Sequence, residues 1–596
     1  MEATVRGQPR WAVRWAAGLA LAFALLAMLY SVVTPAWEAP DEVGHFDYVA
    51  HLLTERALPR QRVGELGEAH QPPLYYALAA LLASPADLAD ATGGFRLNPR
   101  FMFAGHGGKD VNISLHGTAE TFPFRGQALG LHLARLASGL MALVTVLLTV
   151  GLGWRLFPQR PLIGLLAGSL TAFNPQFLFI SGAVNNDNLL VAAATGAWWQ
   201  LTRALQRPEG WRSWVAVGLW VGVAMLAKTS GLMVAVGVGV ALAALGWRRR
   251  SLRLAVRAGA AVALPVLLLT AAWFFRNQVV YGDPFGWGMY QQLGYGDVQP
   301  AAFGWAEARD YFTVQFRSFW GLFGWMNIPA PGWFYGLTLL LVVVGLGGLT
   351  WRAVRGRTDE LQAETRLGLL VLAGIVLSFE LMMTAITTRC DPSCYQGRYL
   401  FPVIGPAMLL LSYGLLNWSP RAAPLVAGGL ALVLASLAVF MPLGVIQPAY
   451  QSPTLPKWRA WLIPLPTDVT VADMVDLRGY RVDTGGSHVT LTLYWQTRRT
   501  PDFDYSVCAH LVNEANDVVA QADHAPGEQA GYPPRRWQPE DLVADEHIIQ
   551  LPPDLPAGVY RFRVGMYNWQ TGQQLPLSSG DTPLGTFLIL DQPLRR

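Results

Sequence analysis

Residues 12–46 read AVRWAAGLALAFALLAMLYSVVTPAWEAPDEVGHF. The first 23 of these carry a single charge, Arg14, and are long enough to cross a bilayer, which takes about 20 apolar residues. No small-residue cleavage site follows them, so the run reads as a retained helix and not a cleaved signal peptide. Immediately after it come three carboxylates within five residues: Glu38, Asp41 and Glu42. An apolar span that delivers a dense acidic patch to the membrane surface sets both the fold class and the place to look for chemistry.

Similar runs recur at 128–150, 161–182, 187–205, 213–229, 231–247, 256–275, 333–351, 367–388, 398–416 and 422–445, and then stop. Eleven spans are therefore expected over residues 1–445. The composition agrees: 52% of the chain is hydrophobic and 14% charged, where soluble domains run near a quarter charged. The net charge of +4 comes from arginines in short loops, a topology signal that excludes a nucleic-acid patch. Three cysteines cannot form a disulfide framework. Cys390 and Cys394 share one loop and could pair in an oxidising compartment, or remain incidental thiols.

Arg6, Arg10 and Arg14 precede the first span and place the N-terminus in the cytoplasm. Counting alternately, the cytoplasmic loops then hold Arg155 and Arg160; Arg203, Arg207 and Arg212; the Arg248–Arg257 cluster; Arg352, Arg355 and Arg357; and Arg421. Every basic cluster falls on one side, and an odd number of spans puts the C-terminal region outside. The expected location is the cell membrane (plasma or inner), with long outer segments at 35–127, 276–332 and beyond 445. The short inner loops contain no phosphate-loop or nucleotide signature, so a transferase acting outside would need a group already activated on a lipid.

After residue 470 the period changes to two. Val489, Leu491, Leu493 and Trp495 alternate with polar partners, and related runs occur at 507–512, 547–551 and 559–567 between Pro/Gly/Asp turns. Such spacing predicts a β-sandwich over 471–596, with Pro-rich residues 446–470 as linker. Trp495, Trp537, Tyr567 and Trp569 could fill its core or stack on sugar rings.

The candidate site gathers on the outer side. Asp41 would cap an amphipathic helix over 43–58, would serve as general base for an acceptor hydroxyl, or both; Glu42 and His45 lie beside it. His70-Gln71-Pro72-Pro73-Leu74-Tyr75-Tyr76 opens a further helix. Asn174-Pro175-Gln176 and Asn185-Asn186-Asp187-Asn188 bracket an outer turn, bringing Asp187 to the same face. Lys228, Arg276 and Arg398, with Tyr399 beside the last, run against the positive-inside bias. Each could snorkel to headgroups; several together suit a bound phosphate. Glu380, within a span, is expected to face the bundle interior.

The acidic pair after the first helix, His-x-Pro-Pro-Leu-Tyr-Tyr, and Arg398-Tyr399-Leu400-Phe401-Pro402 near the last helices together resemble the GT-C superfamily of integral-membrane glycosyltransferases. Within it the residues resemble the branch of the protein O-mannosyltransferases and aminoarabinose transferases, and the resemblance covers roughly residues 12–445. It implies a polyprenyl-phosphate-linked sugar donor, transfer to a glycan, lipid or protein acceptor on the extracytoplasmic face, and first- and second-loop acids at Asp41, with Glu42 beside it, and Asp187. Phosphate-binding cations would be Arg398, Lys228 and Arg276. Val43-Gly44-His45 departs from the usual Arg or Ala and aromatic after the acidic pair, which leaves the acceptor open. Direct displacement would invert the anomeric carbon. A divalent metal held by Asp41, Glu42 and Asp187 is possible, with no ligand spacing to specify it. The rival expectations are a transporter or flippase, against which no matching halves with broken helices are visible, and an inactive glycan-binding protein.

Overall fold

A computed structural model describes residues 7–62, 67–90, 92–98, 101–103, 106–107, 111–116, 120, 122–290, 292, 304–354, 362–387, 394–450, 454–455, 457–528 and 532–596. The chain forms two compact units, one built from 1–114 and 118–449, the other from 115–117 and 450–596.

The first unit is helical. Its helices are α1 (Arg10–Val33), α2 (Glu42–Thr54), α3 (Leu74–Ala83), α4 (Gly126–Leu156), α5 (Pro161–Ala172), α6 (Pro175–Ser181), α7 (Asp187–Gln206) and α8 (Trp211–Ala227). There follow α9 (Leu232–Arg249), α10 (Leu252–Tyr281), α11 (Trp305–Trp320), α12 (Gly332–Val354), α13 (Ala363–Thr387), α14 (Ile404–Leu415) and α15 (Ala423–Met441). Helix α1 buries Ala12, Ala16, Leu19, Phe23, Leu26 and Tyr30, yet its opposite face shows Leu21, Leu25, Met28 and Val32 to the surroundings. A helix apolar all round needs lipid on its outer face. Among the described residues eight helices are long and apolar enough to cross a membrane, nine if α5 and α6, bent by 63°, count as one span. The protein is a polytopic helical membrane protein.

Each of the eleven expected spans coincides with a helix or a helix pair, but two differ in kind. Helix α7 is buried at every residue except Arg203 and Gln206. Surrounded by protein, between α4 and α8, it can carry Asp187, Asn188, Thr195 and Gln200 without exposing them to lipid. Helix α8 has only 17 residues. Close crossings are made by small residues: a Cβ on Gly414 of α14 would collide with the backbone of Gly345 on α12, the packing expected where no water drives helices together. Glu380 of α13 is half-buried and meets the Tyr311 hydroxyl at 3.5 Å. Cys394 is disulfide-bonded; Cys390 lies outside the described residues.

The second unit is a β-sandwich of strands β1 (Thr454–Leu455), β2 (Leu465–Val471), β3 (Val475–Thr484), β4 (His488–Thr497), β5 (Ser506–Val512), β6 (Val518–Gln521), β7 (Leu542–Gln550), β8 (Val559–Tyr567), β9 (Leu577–Ser579), β10 (Thr582–Gly585), β11 (Leu588–Ile589) and β12 (Leu594–Arg595). One sheet has the order β10-β9-β2-β3-β4-β7-β1; the other runs β6-β5-β8-β11, with β12 on β8. Val489, Leu491, Leu493 and Trp495 of one sheet meet Val507, Leu511, Phe562 and Val564 of the other in a single core. Trp495 and Trp537 are buried there, whereas Trp569 is 56% exposed. The Pro-rich 446–470 segment is less of a linker than its composition suggests. It contains β1 and most of β2, whose pairing with β3 shifts register between Pro466 and Val469, a bulge that accommodates a residue without an amide hydrogen.

Candidate active site

The three carboxylates after α1 have three different fates. Glu38 is wholly buried and accepts hydrogen bonds from the backbone N–H groups of Ile113 and Ser114, both at 3.0 Å. Glu42 is also wholly buried, paired with Arg135 of α4: Nε lies 2.8 Å from Oε1 and Nη2 2.6 Å from Oε2. The backbone amides of Trp37 and Val184 donate to the same carboxylate. Arg135 spends its other donors on the carbonyls of Ser31, Thr34 and Pro35. All five guanidinium N–H bonds are therefore used. Glu38 and Glu42 fasten the loop.

Asp41 is the carboxylate left on offer. Its backbone is left-handed, with φ 64°, and although it sits at the N-cap of α2 its side chain makes no cap bond. The carboxylate points instead at Arg398, 2.5 Å away, with 34% of the side chain still exposed. Arg398 stands in a 3-10 turn, Gly397–Val403, fixed where the Gly397 amide donates to Ser318 of α11. In contrast to Arg135, this buried guanidinium uses Nη2 alone: Nε and Nη1 have no partner among the described residues.

A second ion pair joins Lys228, in the turn between α8 and α9, to Asp187 at 2.6 Å. The Tyr399 ring lies between the two cations, 5.8 Å from Lys228 Nζ and 5.4 Å from the Arg398 guanidinium carbon. On the far side, the Tyr76 hydroxyl contacts His45 Nδ1 at 2.9 Å and receives a hydrogen bond from Asn186 Nδ2 at 3.2 Å. A closed circuit thus runs from Asp187 through Lys228, Tyr399, Arg398 and Asp41 to α2, and back through Tyr76 and Asn186. Within it Asp187 Oδ2, Asn186 Oδ1 and Asn188 Oδ1 also lack partners among the described residues. Orphaned buried polar atoms are rare in finished structure; on residues beside two cations, these leave acceptors and donors with which a polar ligand could bond.

Burial opposes the charge on Asp41, but Arg398, His45 and Lys228 outweigh it and hold the carboxyl below its ordinary range. Burial pushes His45 down despite Glu68 and Asp41 nearby. It lowers His70 to about 4, helped by Lys228. Glu68 moves the other way, raised by burial.

Of the expected residues, Asp41, Asp187, Lys228, Arg398, Tyr399 and His45 share this circuit. His70 lies at its edge: Nε2 is 3.1 Å from Gln71 Nε2 and 3.9 Å from a Glu68 oxygen. Arg276 is elsewhere engaged, donating to the Pro59 carbonyl at 2.5 Å and lying over the Trp273 and Tyr281 rings. Asp41, Glu42 and Asp187 do not converge as metal ligands, because each carboxylate faces its own cation. Arg135, Glu68, Tyr76 and Asn186 escaped the sequence reading. Tyr76 and Asn186 belong to the His70–Tyr76 and Asn185–Asn188 motifs, while a lone arginine in an apolar helix is the available sign for Arg135.

The family described as "Predicted membrane protein (DUF2142)" matches residues 128–406. No curated protein matches the chain. Among solved structures, the chain is similar to ArnT from Cupriavidus metallidurans bound to undecaprenyl phosphate (16% identity, TM-score 0.43, 76% of this chain and 68% of that one). It is similar to the Archaeoglobus fulgidus oligosaccharyltransferase in complex with Zn and sulfate (15%, 0.43, 74% and 55%). A third similar structure is the arabinosyltransferase EmbB from Mycobacterium smegmatis (11%, 0.36, 94% and 64%).

Proposed function

We propose that the protein is a membrane glycosyltransferase that moves a sugar from a polyprenyl-phosphate carrier to an acceptor hydroxyl, on the extracytoplasmic side of the cell membrane. One observation carries the reading: a buried arginine that holds a carboxylate with one nitrogen and has two further N–H-bearing nitrogens without a partner among the described residues, beside a lysine. Guanidinium donors in that state suit phosphate oxygens, which accept in the same fork geometry. The placement of arginines in the short loops supports the orientation.

In this reaction the acceptor oxygen attacks the anomeric carbon as the bond to the lipid phosphate breaks, and the electron pair leaves with the phosphate. Asp41, ionised and partly exposed, takes the hydroxyl proton. Arg398 and Lys228 meet the charge that grows on the leaving phosphate, where a low dielectric strengthens them. A single displacement inverts the anomeric centre. Glu42 acts through Arg135, as the anchor that sets Asp41.

The test uses full-length protein in lipid nanodiscs with a panel of polyprenyl-phospho-sugars, following release of polyprenyl phosphate. Asp41→Asn should lower turnover by about 10²–10⁴-fold, the usual contribution of a positioned base. Wild-type turnover in that variant would remove Asp41 from the role. No cleavage of any donor, with translocation of the lipid-linked sugar in sealed vesicles, would establish a flippase instead.

A further inference from the structure

Strand β7 breaks the rule of its own sheet. Its inward positions alternate as expected, but two of them are Asp545 and His547 where Ile549 continues the apolar row. Polar residues at core positions conflict with the local pattern, and such conflicts mark function more often than packing. A third polar residue, His524, joins them from the segment after β6. His524 Nε2 is 3.1 Å from Asp545 Oδ1, and His547 Nε2 is 2.7 Å from Asp545 Oδ2.

The hydrogen bonds around this trio determine which atoms face inward. His547 Nδ1 is 2.7 Å from the Ala522 carbonyl, which can only accept. Nδ1 therefore carries a proton, and Nε2 is the nitrogen turned toward the carboxylate. That nitrogen and the carboxylate oxygen, 2.7 Å apart, are bridged by a proton on Nε2 or, with that proton displaced, both face a shared metal ion. A histidine whose other nitrogen donates to a backbone carbonyl is the arrangement that orients metal-binding imidazoles. Asp545 is anchored as well: its Oδ1 accepts from the Gly527 amide at 3.1 Å. One ligand atom from each residue lies within 4.8 Å of the others. His547 and Asp545 are buried, and the His524 side chain is 17% exposed.

We propose that His524, Asp545 and His547 bind one divalent transition-metal ion of the zinc type. Two imidazoles and a carboxylate match that class in donor softness and number, and are poor for calcium or magnesium, which take oxygen-rich shells. Three protein ligands leave a fourth position, reached from the His524 side, for water or a ligand group. The ion ties the segment containing His524 and Gly527 to β7, and so adds a cross-link to the sandwich between elements not joined by the β-ladder.

The experiment uses the full-length protein in detergent, stripped with a chelator and titrated with Zn2+, with Co2+ as the absorbing probe. Wild type should bind one equivalent and give the intense visible bands of four-coordinate cobalt. His524→Ala, at the rim of the site, should weaken binding by at least about 100-fold, the upper end of what loss of a mere supporting partner does. His547→Ala should weaken it likewise; should that variant fail to fold, His524→Ala alone decides. His510→Ala, a nearby histidine paired to Asp523, and Asp41→Asn should each keep the equivalent. No binding by wild type, retention of the equivalent in His524→Ala, or its loss in Asp41→Asn would overturn the proposal.

Discussion

Replacing Arg135 by Met removes a guanidinium that makes five hydrogen bonds, two to Glu42 and three to the carbonyls that end α1. At about 1.5–3 kcal/mol for each bond to a charged group, the sum would reach about 7–15 kcal/mol and rival the whole stability of a domain. That sum over-counts, since forming the pair also strips water from two charges. The better guide is the cost of breaking one side of a buried pair, about 3–5 kcal/mol, because Glu42 remains buried with only the Trp37 and Val184 amides. Equilibrium unfolding of full-length Arg135→Met in detergent, read by tryptophan fluorescence, should show a loss of this size. Glu42→Met combined with Arg135→Met should recover part of it, since no charge is then stranded. A single variant within about 0.5 kcal/mol of wild type, the range of surface substitutions, would refute the assignment of Glu42 as the loop's anchor.

Arg398→Lys keeps a charge but loses the fork, and should weaken binding of polyprenyl phosphate by about tenfold or more in a direct binding assay, since a lysine replaces bidentate geometry with a point charge. The pH dependence has a definite sign. Because Asp41 is held below the ordinary carboxylate value of about 3.9, it stays ionised as pH falls until that lowered value is passed, so kcat/KM should be flat on the acid side down to about pH 5. An acid limb near pH 6 or above would assign the base to another group, Glu68 or His45. In the sandwich, Leu491→Ala at a fully buried core position should destabilise the domain by about 2–5 kcal/mol, measured by denaturant unfolding; a loss under about 1 kcal/mol would mean the core collapses around the gap.

The helices were readable because lipid demands a single chemistry along each of them, and the arginine loops between them read just as plainly. Helix α7 was the informative exception: it matches an expected span, yet its polar face makes sense only once α4 and α8 enclose it. The site was half readable. Asp41, Asp187, Lys228 and Arg398 stand out as charges near membrane level, but sequence spacing gives no means of telling which acid meets which base. It could not distinguish Asp41 from Glu42, adjacent residues of the same type, because the difference lies in a partner 93 positions away. Nor could it distinguish a saturated arginine from an unsaturated one. His547 was read as strand only, since period-2 patterning counts apolar residues and passes over inward polar ones.

The left-handed backbone of Asp41 has a consequence for how that position tolerates change. Among residues with a side chain, Asn and Asp enter that conformation most readily, and glycine enters it freely. A saturating scan of position 41 should therefore separate into two thresholds. Abundance at the membrane survives for Asn and Gly and declines for β-branched or bulky residues, while turnover survives for Asp alone. Alanine would mix the two thresholds in one number, so the asparagine variant isolates the carboxylate from the bend that presents it.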